Sequence, residues 1–434
     1  MPGHDPSPAG TTQPRGSVPT VPVPELVPVL LGGDIGVYAL ARCFHEAYRV
    51  VSVCIAPRPT QVLTRSRIVR TVALGEHSEP GDYVEAALDV ARRTPGARRV
   101  LLANTDWHIR VINDHRQVLA EHFEIPVASA PVAARVSDKA VFAQVCAELG
   151  VPTPATVVQD FTDAGAQDWK PADTAALGYP QIAKPASSAE YNDLRMEDKK
   201  KVFVVADAQE ADSLWQRLRC AGFRGHFLAQ ELIGGDDTSM RSLTAYVDSW
   251  GRAVLTGSAR VLLEDHAPTM LGNPVSMITE PFTEMMEQAV RLLEHVGYRG
   301  FANFDIKVDP RDGRALFLEV NPRIGRNCYY MAAAGHNPVT FAVRDLVLGR
   351  EVEPARVDQE VLYSLLPHRL LRRYLREESL RSRVNALVSS GRSANPLRYH
   401  RDRSLRRNLV VSAQELNQYR KFARYYPQAT DTAF

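Results

Sequence analysis

Short apolar segments alternate with longer amphipathic segments over the first third of the chain. Residues 26–31 are apolar, an amphipathic segment follows, and residues 50–55 are apolar again. A second amphipathic segment at 83–93 precedes the apolar residues 100–103. Strands and helices that alternate in this way are typical of parallel sheets. The pattern therefore predicts a parallel α/β unit over residues 26–132.

The pattern changes after residue 133. A helix that begins near Ser137 is predicted to end at Gly150-Val-Pro-Thr-Pro154, because glycine and proline together stop a helix. A helix is also predicted at 283–296. The polar segment 186–201 has few residues suited to a core, so it is predicted to be a lid. The apolar segments at 177–184 and 227–233 are predicted strands, and those at 244–247 and 253–261 are predicted antiparallel neighbours. The segments at 301–306 and 316–320 are predicted to pair through the turn between them.

The predicted fold class is α/β and α+β. Residues 1–24 are rich in Pro, Gly, Ser and Thr and are expected to form a disordered tail. The predicted domains are an N-terminal parallel α/β domain at 25–132, a domain of two subdomains at 133–230 and 231–350, and a helical, basic C-terminal extension at 351–434.

Composition argues against several classes of protein. The chain has 434 residues, of which 45% are hydrophobic, enough for two or three domains with full cores. A net charge of +2 gives no indication of a nucleic-acid partner. Five scattered cysteines without a C-x-x-C pair argue against a disulfide framework and a zinc site, so the expected compartment is the cytoplasm. No apolar segment reaches the ~18 residues of a membrane helix.

Two carboxylates are predicted to meet on adjacent strands. Asp305 and Glu319 lie in apolar segments, and the residues between them include Asp309, Pro310 and Gly313, a composition typical of a turn. Asn321 follows Glu319 by two positions, so on a strand it points to the same face. Carboxylate and amide oxygens suit Mg²⁺. The alternative is an acidic hairpin edge, but unpaired charges inside apolar segments are costly.

A lysine and a hinge indicate a nucleotide site. Lys184 ends an apolar strand and is followed by proline, so its ammonium group can meet an anion where the strand ends. Gln230, Glu231 and the carbonyls of Leu232 and Ile233 end another strand before Gly234-Gly235, an arrangement able to hold a planar adenine. The glycines at 32–36 do not match the G-x-G-x-x-G spacing, which favours a structural turn over an NAD site.

Taken together, these residues resemble the ATP-grasp superfamily. A narrower resemblance, to carboxylate–amine ligases of the D-aspartate ligase type, covers nearly the whole chain after the tail. The superfamily elements are Ser137-Asp138-Lys139 with Gly150-Val-Pro-Thr-Pro154, Ile182-Ala-Lys184-Pro185, Gln230-Glu-Leu-Ile233, Asn303-Phe-Asp305-Ile-Lys307 and Glu319-Val-Asn321-Pro-Arg323. The narrower elements are Leu31-Gly-Gly-Asp-Ile-Gly-Val-Tyr-Ala-Leu-Ala-Arg-Cys-Phe-His-Glu-Ala-Tyr48, Thr105-Asp-Trp107 and Asn395-Pro-Leu-Arg-Tyr-His-Arg-Asp402.

The resemblance implies a role for each matching residue. For ATP it implies Lys139 and Lys184 at the phosphates, Gln230, Glu231, Leu232 and Ile233 at the adenine, and Asp236 or Asp237 at the ribose. For catalysis it implies Arg260 at the γ-phosphate, and Arg323, Arg326 and Asn327 at the carboxylate substrate. For metal it implies two magnesium ions, with Mn²⁺ as an alternative, on Asp305, Glu319 and Asn321. The lid departs from the usual glycine-rich pattern and offers Ser187, Ser188 and Asn192 instead.

The function implied by the resemblance is ATP-dependent amide formation through an acylphosphate. The carboxylate partner would be a small amino acid such as D-aspartate, and the amine would belong to a peptidoglycan precursor peptide. Alternatives are a ligase of natural-product dipeptides or amides, an ATP-grasp kinase of small molecules, and a nucleotide-binding module without activity. No nucleic acid and no integral membrane segment are expected, and a homodimer stays open.

Two further groups of residues have alternative interpretations. His266 and His336 lie in predicted loops beside the cleft, where a histidine is either a general base or, more commonly, a surface residue. Arg372, Arg373 and Arg376 in the C-terminal extension are either a solvated helix face or a surface that steers an anionic acceptor.

Overall fold

The structure is a computed structural model. It describes residues 25–186, 191, 194–200, 202–268 and 270–430. The predicted tail at 1–24 lies outside the described residues, as do Ser187, Ser188 and Asn192 of the predicted lid.

A parallel sheet with the strand order β3-β2-β1-β4 forms the N-terminal part. Its apolar strands are buried on both faces, since Val29 and Leu31 pack in one hydrophobic cluster and Leu30 in another. The strands are β1 (Leu26–Leu31), β2 (Ser52–Ala56), β3 (Val69–Ala73) and β4 (Arg98–Ala103). The helices are α1 (Ile35–Tyr48), α2 (Gln61–Thr64), α3 (Pro80–Arg93), α4 (Asp106–Asp114) and α5 (Arg116–Ala120).

A small antiparallel sheet with the order β5-β8-β6-β7 follows. Its core is aromatic, with Phe161, Trp215 and Phe227 fully buried. Its strands are β5 (Thr156–Asp160), β6 (Gln181–Pro185), β7 (Phe203–Val205) and β8 (His226–Glu231). A 3₁₀ turn at Ala175–Leu177 precedes β6. The helix α8 (Ala208–Cys220) packs on this sheet.

The large sheet carries the other eight strands of the described residues. One face packs on three helices: α6 (Ala130–Ser137), α7 (Lys139–Leu149) and α9 (Thr283–His295). The strands are β9 (Met240–Val247), β10 (Ala253–Asp265), β11 (Asn273–Thr279), β12 (Gly300–Val308), β13 (Ala315–Asn321), β14 (Ala355–Arg356), β15 (Leu362–Ser364) and β16 (Ser393–Ala394). Their order is β13-β12-β9-β10-β11-β15-β16, and β14 pairs with β10. A 3₁₀ turn at Asp237–Ser239 precedes β9.

The C-terminal residues join the large sheet to the N-terminal unit. Besides helices, they supply the short strands β14, β15 and β16. Buried Asp402 accepts hydrogen bonds from Tyr38 Oη at 2.8 Å and from the Arg67 amide at 2.7 Å. The helices are α10 (Tyr329–Ala333), α11 (Pro338–Ala342), α12 (His368–Tyr374), α13 (Glu378–Ser389) and α14 (Leu405–Tyr425), with a π-helical turn at Val343–Val347 and a 3₁₀ turn at His400–Asp402.

The 21 residues of α14 would be long enough to span a bilayer. Like every other helix in the described part of the chain, however, α14 lacks the combination of length and apolar character that a membrane span requires.

Candidate active site

Three polar side chains converge on one face of the β12–β13 hairpin. The strand register pairs Asp305 with Glu319 and Asn303 with Asn321. Residues that face each other across antiparallel strands point to the same side of the sheet. Asn321 Nδ2 also donates a hydrogen bond to Asp305 Oδ2 at 3.0 Å. The structure therefore brings together the three side chains that the sequence predicts as metal ligands.

Two lysines from separate elements lie beside these carboxylates. Lys139 is the first residue of α7, and its Nζ lies 3.5 Å from Glu319 Oε2. Lys184 lies on β6 of the small sheet. Burial lowers the pKa of Lys184 to about 8, while the charges of Glu319 and Asp305 oppose that shift. The ammonium groups therefore interact with the hairpin carboxylates across the junction between the two sheets.

The two carboxylates differ in their readiness to ionise. Burial, with a further contribution from the Glu319 charge, raises the pKa of Asp305 to about 7. Burial also opposes ionisation of Glu319, but Lys139, Lys184 and Arg323 outweigh it and hold the pKa of Glu319 below its ordinary value. The pair is thus a site of negative charge that a cation would relieve.

The donor set fits Mg²⁺. Two carboxylates and an amide are hard oxygen ligands, and Mg²⁺ usually takes one or two protein carboxylates and completes its shell with water and substrate phosphates. In the described part of the chain, no group of three or more His, Cys, Asp or Glu is arranged to hold a metal by itself. An ion at this hairpin would therefore need further oxygen ligands from water or from a bound phosphate group.

Two arginines follow β13 and reach the N-terminal sheet. Arg323 donates from Nε to Asp106 Oδ1 at 2.9 Å and from Nη2 to Asn321 Oδ1 at 3.0 Å. Arg326 donates from Nε to Asp34 Oδ2 at 2.7 Å. The loop that carries both arginines thus connects the carboxylate hairpin with the N-terminal domain.

Asn327 lies beneath this loop. Its side chain is buried, and Nδ2 donates to Ser242 Oγ at 3.2 Å. Gly325 is equally confined, since a Cβ there would lie 2.5 Å from both Asn303 Oδ1 and Asn327 Oδ1. The structure therefore shows Asn327 in a contact that supports the loop, and its contact with the substrate stays a prediction.

The predicted adenine hinge connects the small sheet to the large one. Strand β8 ends at Glu231. The Glu231 carboxylate accepts a hydrogen bond from the Ala155 amide at 3.0 Å and forms an ion pair with Arg311 at 3.2 Å. Gln230 Nε2 donates to Thr156 Oγ1 at 2.8 Å. Both side chains are thus engaged with neighbouring protein groups, and the connection continues through Leu232 and Ile233 between the sheets that carry Lys184 and Asp305.

Comparisons with known proteins agree with this geometry. A family model described as "Carbamoyl-phosphate synthase L chain, ATP binding domain" matches residues 261–344. D-aspartate ligase of Enterococcus faecium (strain Aus0004) is 30% identical over 414 residues, which cover 93% of this chain and 97% of the relative. The chain belongs to the D-aspartate ligase family. It is therefore an ATP-dependent carbon–nitrogen ligase of the ATP-grasp superfamily.

Solved structures support the fold of this ligase. The biotin carboxylase domain of Hydrogenobacter thermophilus 2-oxoglutarate carboxylase, in complex with MgADP, ADP and bicarbonate, has a TM-score of 0.56 at 15% identity. The superposition covers 77% of this chain and 73% of the carboxylase chain. Biotin carboxylase of Campylobacter jejuni, solved as a β-γ-ATP complex, has a TM-score of 0.55 at 14% identity, covering 77% and 74%. The predicted fold class is confirmed.

The structure does not bring Arg260 to the carboxylates of the ligase. Asp305 faces Ser242 across the sheet, whereas Arg260 faces Arg241, the next residue along β9. Successive residues of a strand point to opposite faces. Arg260 therefore lies on the other side of the large sheet, where it donates to the Thr238 carbonyl at 3.2 Å and pairs with Glu377 at 3.2 Å.

The aspartates after the hinge are also engaged elsewhere. Asp236 Oδ1 caps the 3₁₀ turn by accepting from the Thr238 amide at 2.9 Å. Asp237 is 2% exposed, and its Oδ2 accepts from the Glu264 amide and lies 2.9 Å from His266 Nε2. His266 in turn stacks on Tyr426 at 3.6 Å between ring centroids. These contacts do not support a ribose contact for Asp237 or a general-base role for His266.

Sequence reasoning missed several polar residues beside the arginine loop. Asp34 follows β1 and Asn104 follows β4, and Asn104 Nδ2 donates to Asp34 Oδ1 at 3.0 Å. Burial raises the pKa of Asp34, but Arg326 and several hydrogen bonds outweigh it and hold this pKa below the ordinary value. A signal was present, because polar residues just after adjacent parallel strands meet at one edge of the sheet.

Removing the charge of Asp305 should stabilise the ligand-free ligase. Its pKa of about 7 lies above the ordinary 3.8, so its contribution to stability is present below pH 3.8 and is lost as pH rises through 7. Since the carboxyl group is only partly buried, we expect Asp305→Asn to gain about 1 kcal/mol, or about 2 °C in Tm, at pH 8. The gain should shrink as pH falls toward 4. Thermal unfolding without metal would measure it, with exposed Asp358→Asn as the control; equal Tm at pH 8 would contradict the prediction.

Proposed function

We propose that the enzyme joins D-aspartate, or another small amino acid, to the side-chain amine of a peptidoglycan precursor peptide. The name of the Enterococcus faecium relative, which the alignment covers over 97% of its length, supports D-aspartate as the first candidate. The observation that carries the proposal is the meeting of Lys139 and Lys184 with the Asp305–Glu319 pair. As ATP is the phosphoryl donor, the proposed compartment is the cytoplasm.

Different residues are proposed to bind the phosphates, the adenine and the metal of ATP. Lys139 and Lys184 bind the phosphates, and the hinge at Leu232 and Ile233 binds the adenine. Asp305, Glu319 and Asn321 would hold two magnesium ions, with manganese as an alternative. When bound, the metal neutralises phosphate charge and aligns the γ-phosphoryl group. The lysines lie close to the hairpin carboxylates, so cations from the protein and the metal would both neutralise the triphosphate.

The chemistry requires two bond exchanges. An oxygen of the substrate carboxylate attacks the γ-phosphorus, and the bond from that phosphorus to ADP breaks. The amine then attacks the carbonyl carbon of the acylphosphate, the carbon–oxygen bond to phosphate breaks, and the amine loses a proton. Arg323 and Arg326 are proposed to hold the carboxylate and to stabilise the charge that develops on its oxygen. Water has to be excluded until the amine arrives, because it would hydrolyse the acylphosphate.

A substrate panel tests the proposal. Purified enzyme would receive ATP, Mg²⁺ and single D- or L-amino acids, with and without a peptide that contains lysine. We expect phosphate release to be highest with D-aspartate and to increase with the peptide, and mass spectrometry to show one amide per phosphate. Glu319→Gln enzyme serves as the blank. Phosphate transferred to a hydroxyl compound without need for an amine would instead identify a kinase, and an optimum with another amino acid would change the substrate.

A further inference from the structure

The carboxyl ends of β1 and β4 lie side by side near the loop that carries Arg323 and Arg326. These strands are neighbours in the order β3-β2-β1-β4. From β1 the chain continues to β2 and β3 on one side of β1, and then returns to form β4 on the other side. Parallel sheets bind ligands at such a switch in strand order. We call the space bordered by Gly32, Asp34, Asn104 and His108 the switch-point crevice.

Asn104 has an unsatisfied acceptor in this crevice. Asn104 is 3% exposed, and its Nδ2 donates to Asp34 Oδ1. A carboxylate only accepts hydrogen bonds when ionised, so this contact fixes which end of the amide is the nitrogen. Oδ1 is then left buried without a partner among the described residues. Buried acceptors of this kind are costly, so a hydrogen-bond donor is expected there.

His108 borders the same space. Its Nδ1 lies 2.5 Å from Thr105 Oγ1, and its Nε2 is buried without a partner in the part of the chain that is described. A Cβ on Gly32 would lie 3.0 Å from Val37 Cγ2 and 3.6 Å from both Asn104 Oδ1 and His108 Cε1, so Asn104 and His108 approach this glycine from neighbouring positions. Burial lowers the pKa of His108 to about 4, and the neutral ring does not repel a cation.

The charges around the crevice alternate in sign. Asp34 pairs with Arg326 at 2.7 Å, and Asp106 pairs with Arg323 at 2.9 Å. A ligand that carries both an ammonium and a carboxylate group would match this arrangement, since each of its charges would find a partner of opposite sign. An α-amino acid is the smallest ligand of that class.

We propose that the switch-point crevice binds the ammonium group of the amino-acid substrate. Asn104 Oδ1 and His108 Nε2 accept its hydrogen bonds, and Asp34 supplies the negative charge. The carboxylate to be phosphorylated then extends toward Arg323 and the hairpin. This inference rests on the proposed function in one respect: the carboxylate substrate is an amino acid.

The test compares a substrate with its analogue that lacks the amino group. D-aspartate and succinate would be assayed with hydroxylamine as the amine, and the hydroxamate formed would be measured. We expect Asn104→Ala to lower kcat/KM for D-aspartate by about 10- to 100-fold and for succinate by less than about 3-fold, because only D-aspartate loses a charged hydrogen bond. If succinate does not react, its inhibition constant against D-aspartate replaces kcat/KM.

A second variant guards against a folding defect in Asn104→Ala. His108→Phe keeps an aromatic ring against Tyr83 and Trp107, whose centroids lie 5.2 and 5.0 Å away, but removes Nε2. His108→Phe should show the same selective loss of kcat/KM for D-aspartate. Trp107→Phe should leave kcat/KM for both substrates unchanged. KM for ATP should stay constant in all three variants.

Several outcomes would overturn the proposal. One is an equal loss of kcat/KM for D-aspartate and succinate in the variants. Another is a wild-type enzyme with the same kcat/KM for both compounds, and a third is a crevice that holds only a buried water. If the substrate panel identifies another amino acid, that amino acid and its own analogue without the amino group replace the probes. The proposed substrate would then be wrong, while the crevice would still be tested.

Discussion

Glu319→Gln should reduce ATP turnover by about 10³-fold, because it removes the charge of a proposed metal ligand where phosphate charge has to be neutralised. Glutamine keeps the size and polarity of the side chain, so the fold should remain intact. The same change removes the partner of Lys139 at 3.5 Å and the charge that raises the pKa of Lys184, so affinity for ATP should also fall. Phosphate release across a magnesium titration would measure both effects.

The control is an acid of the same hairpin that lies outside the site. Asp312 is in the turn between β12 and β13, where its exposed carboxylate pairs with Arg314 at 2.6 Å. Asp312→Asn should leave turnover within about twofold of wild type, since exposed ion pairs contribute little. Normal turnover in Glu319→Gln, with an unchanged circular dichroism spectrum, would show that the hairpin does not carry the metal.

The carboxylate hairpin was predictable because its information is local. A turn composition between two apolar segments determines that the strands pair, and the two-residue period then places Glu319 and Asn321 on one face. The bulge after Asp305 does not disturb the match of Asp305 with Glu319. Lys184 was predictable for a related reason. A lysine that ends an apolar strand before proline buries its carbon chain and places its ammonium group where the strand leaves the core.

The residues that sequence reasoning misplaced or missed depend on contacts distant in sequence. The direction of Arg260 is set by the register between β9 and β10, and a register shift near Leu255 alters the alternation along β10. Asn104 and Asp34 are 70 positions apart and meet only because β1 and β4 are neighbours. Single segments contain no information about such pairings, so motif spacing alone cannot reveal them.

The packing of α7 shows the same limitation. Its sequence predicts a helix, but not the sheet on which the helix packs. In the structure Phe142 and Val145 join the core beneath the large sheet together with Phe304 and Phe317. This packing positions Lys139 at β13, so a helix that precedes the small sheet in sequence contributes to the site from the large sheet.

Arg323→Met should lower kcat by about 10³-fold, because the arginine, which donates to Asn321 Oδ1 at 3.0 Å, is proposed to stabilise the charge that develops on the substrate carboxylate. Arg323→Lys keeps the charge but not the planar group that bonds Asp106 and Asn321 together, so a loss of about 10²-fold is expected. KM for ATP should change less than kcat in both variants, since the contribution is made chiefly in the transition state.

Asp106→Asn separates this role from a purely structural one. Asp106 is 66% exposed at its side chain, so its ion pair with Arg323 should contribute little to stability. If Arg323 acts on the reacting charge, Asp106→Asn should reduce kcat by no more than about 3-fold, because the guanidinium still bonds Asn321. If Arg323 serves mainly to join the N-terminal domain to the hairpin, Asp106→Asn should be as damaging as Arg323→Met. Steady-state kinetics of these variants, with Tm as a check on folding, would decide between a catalytic arginine and an interdomain link.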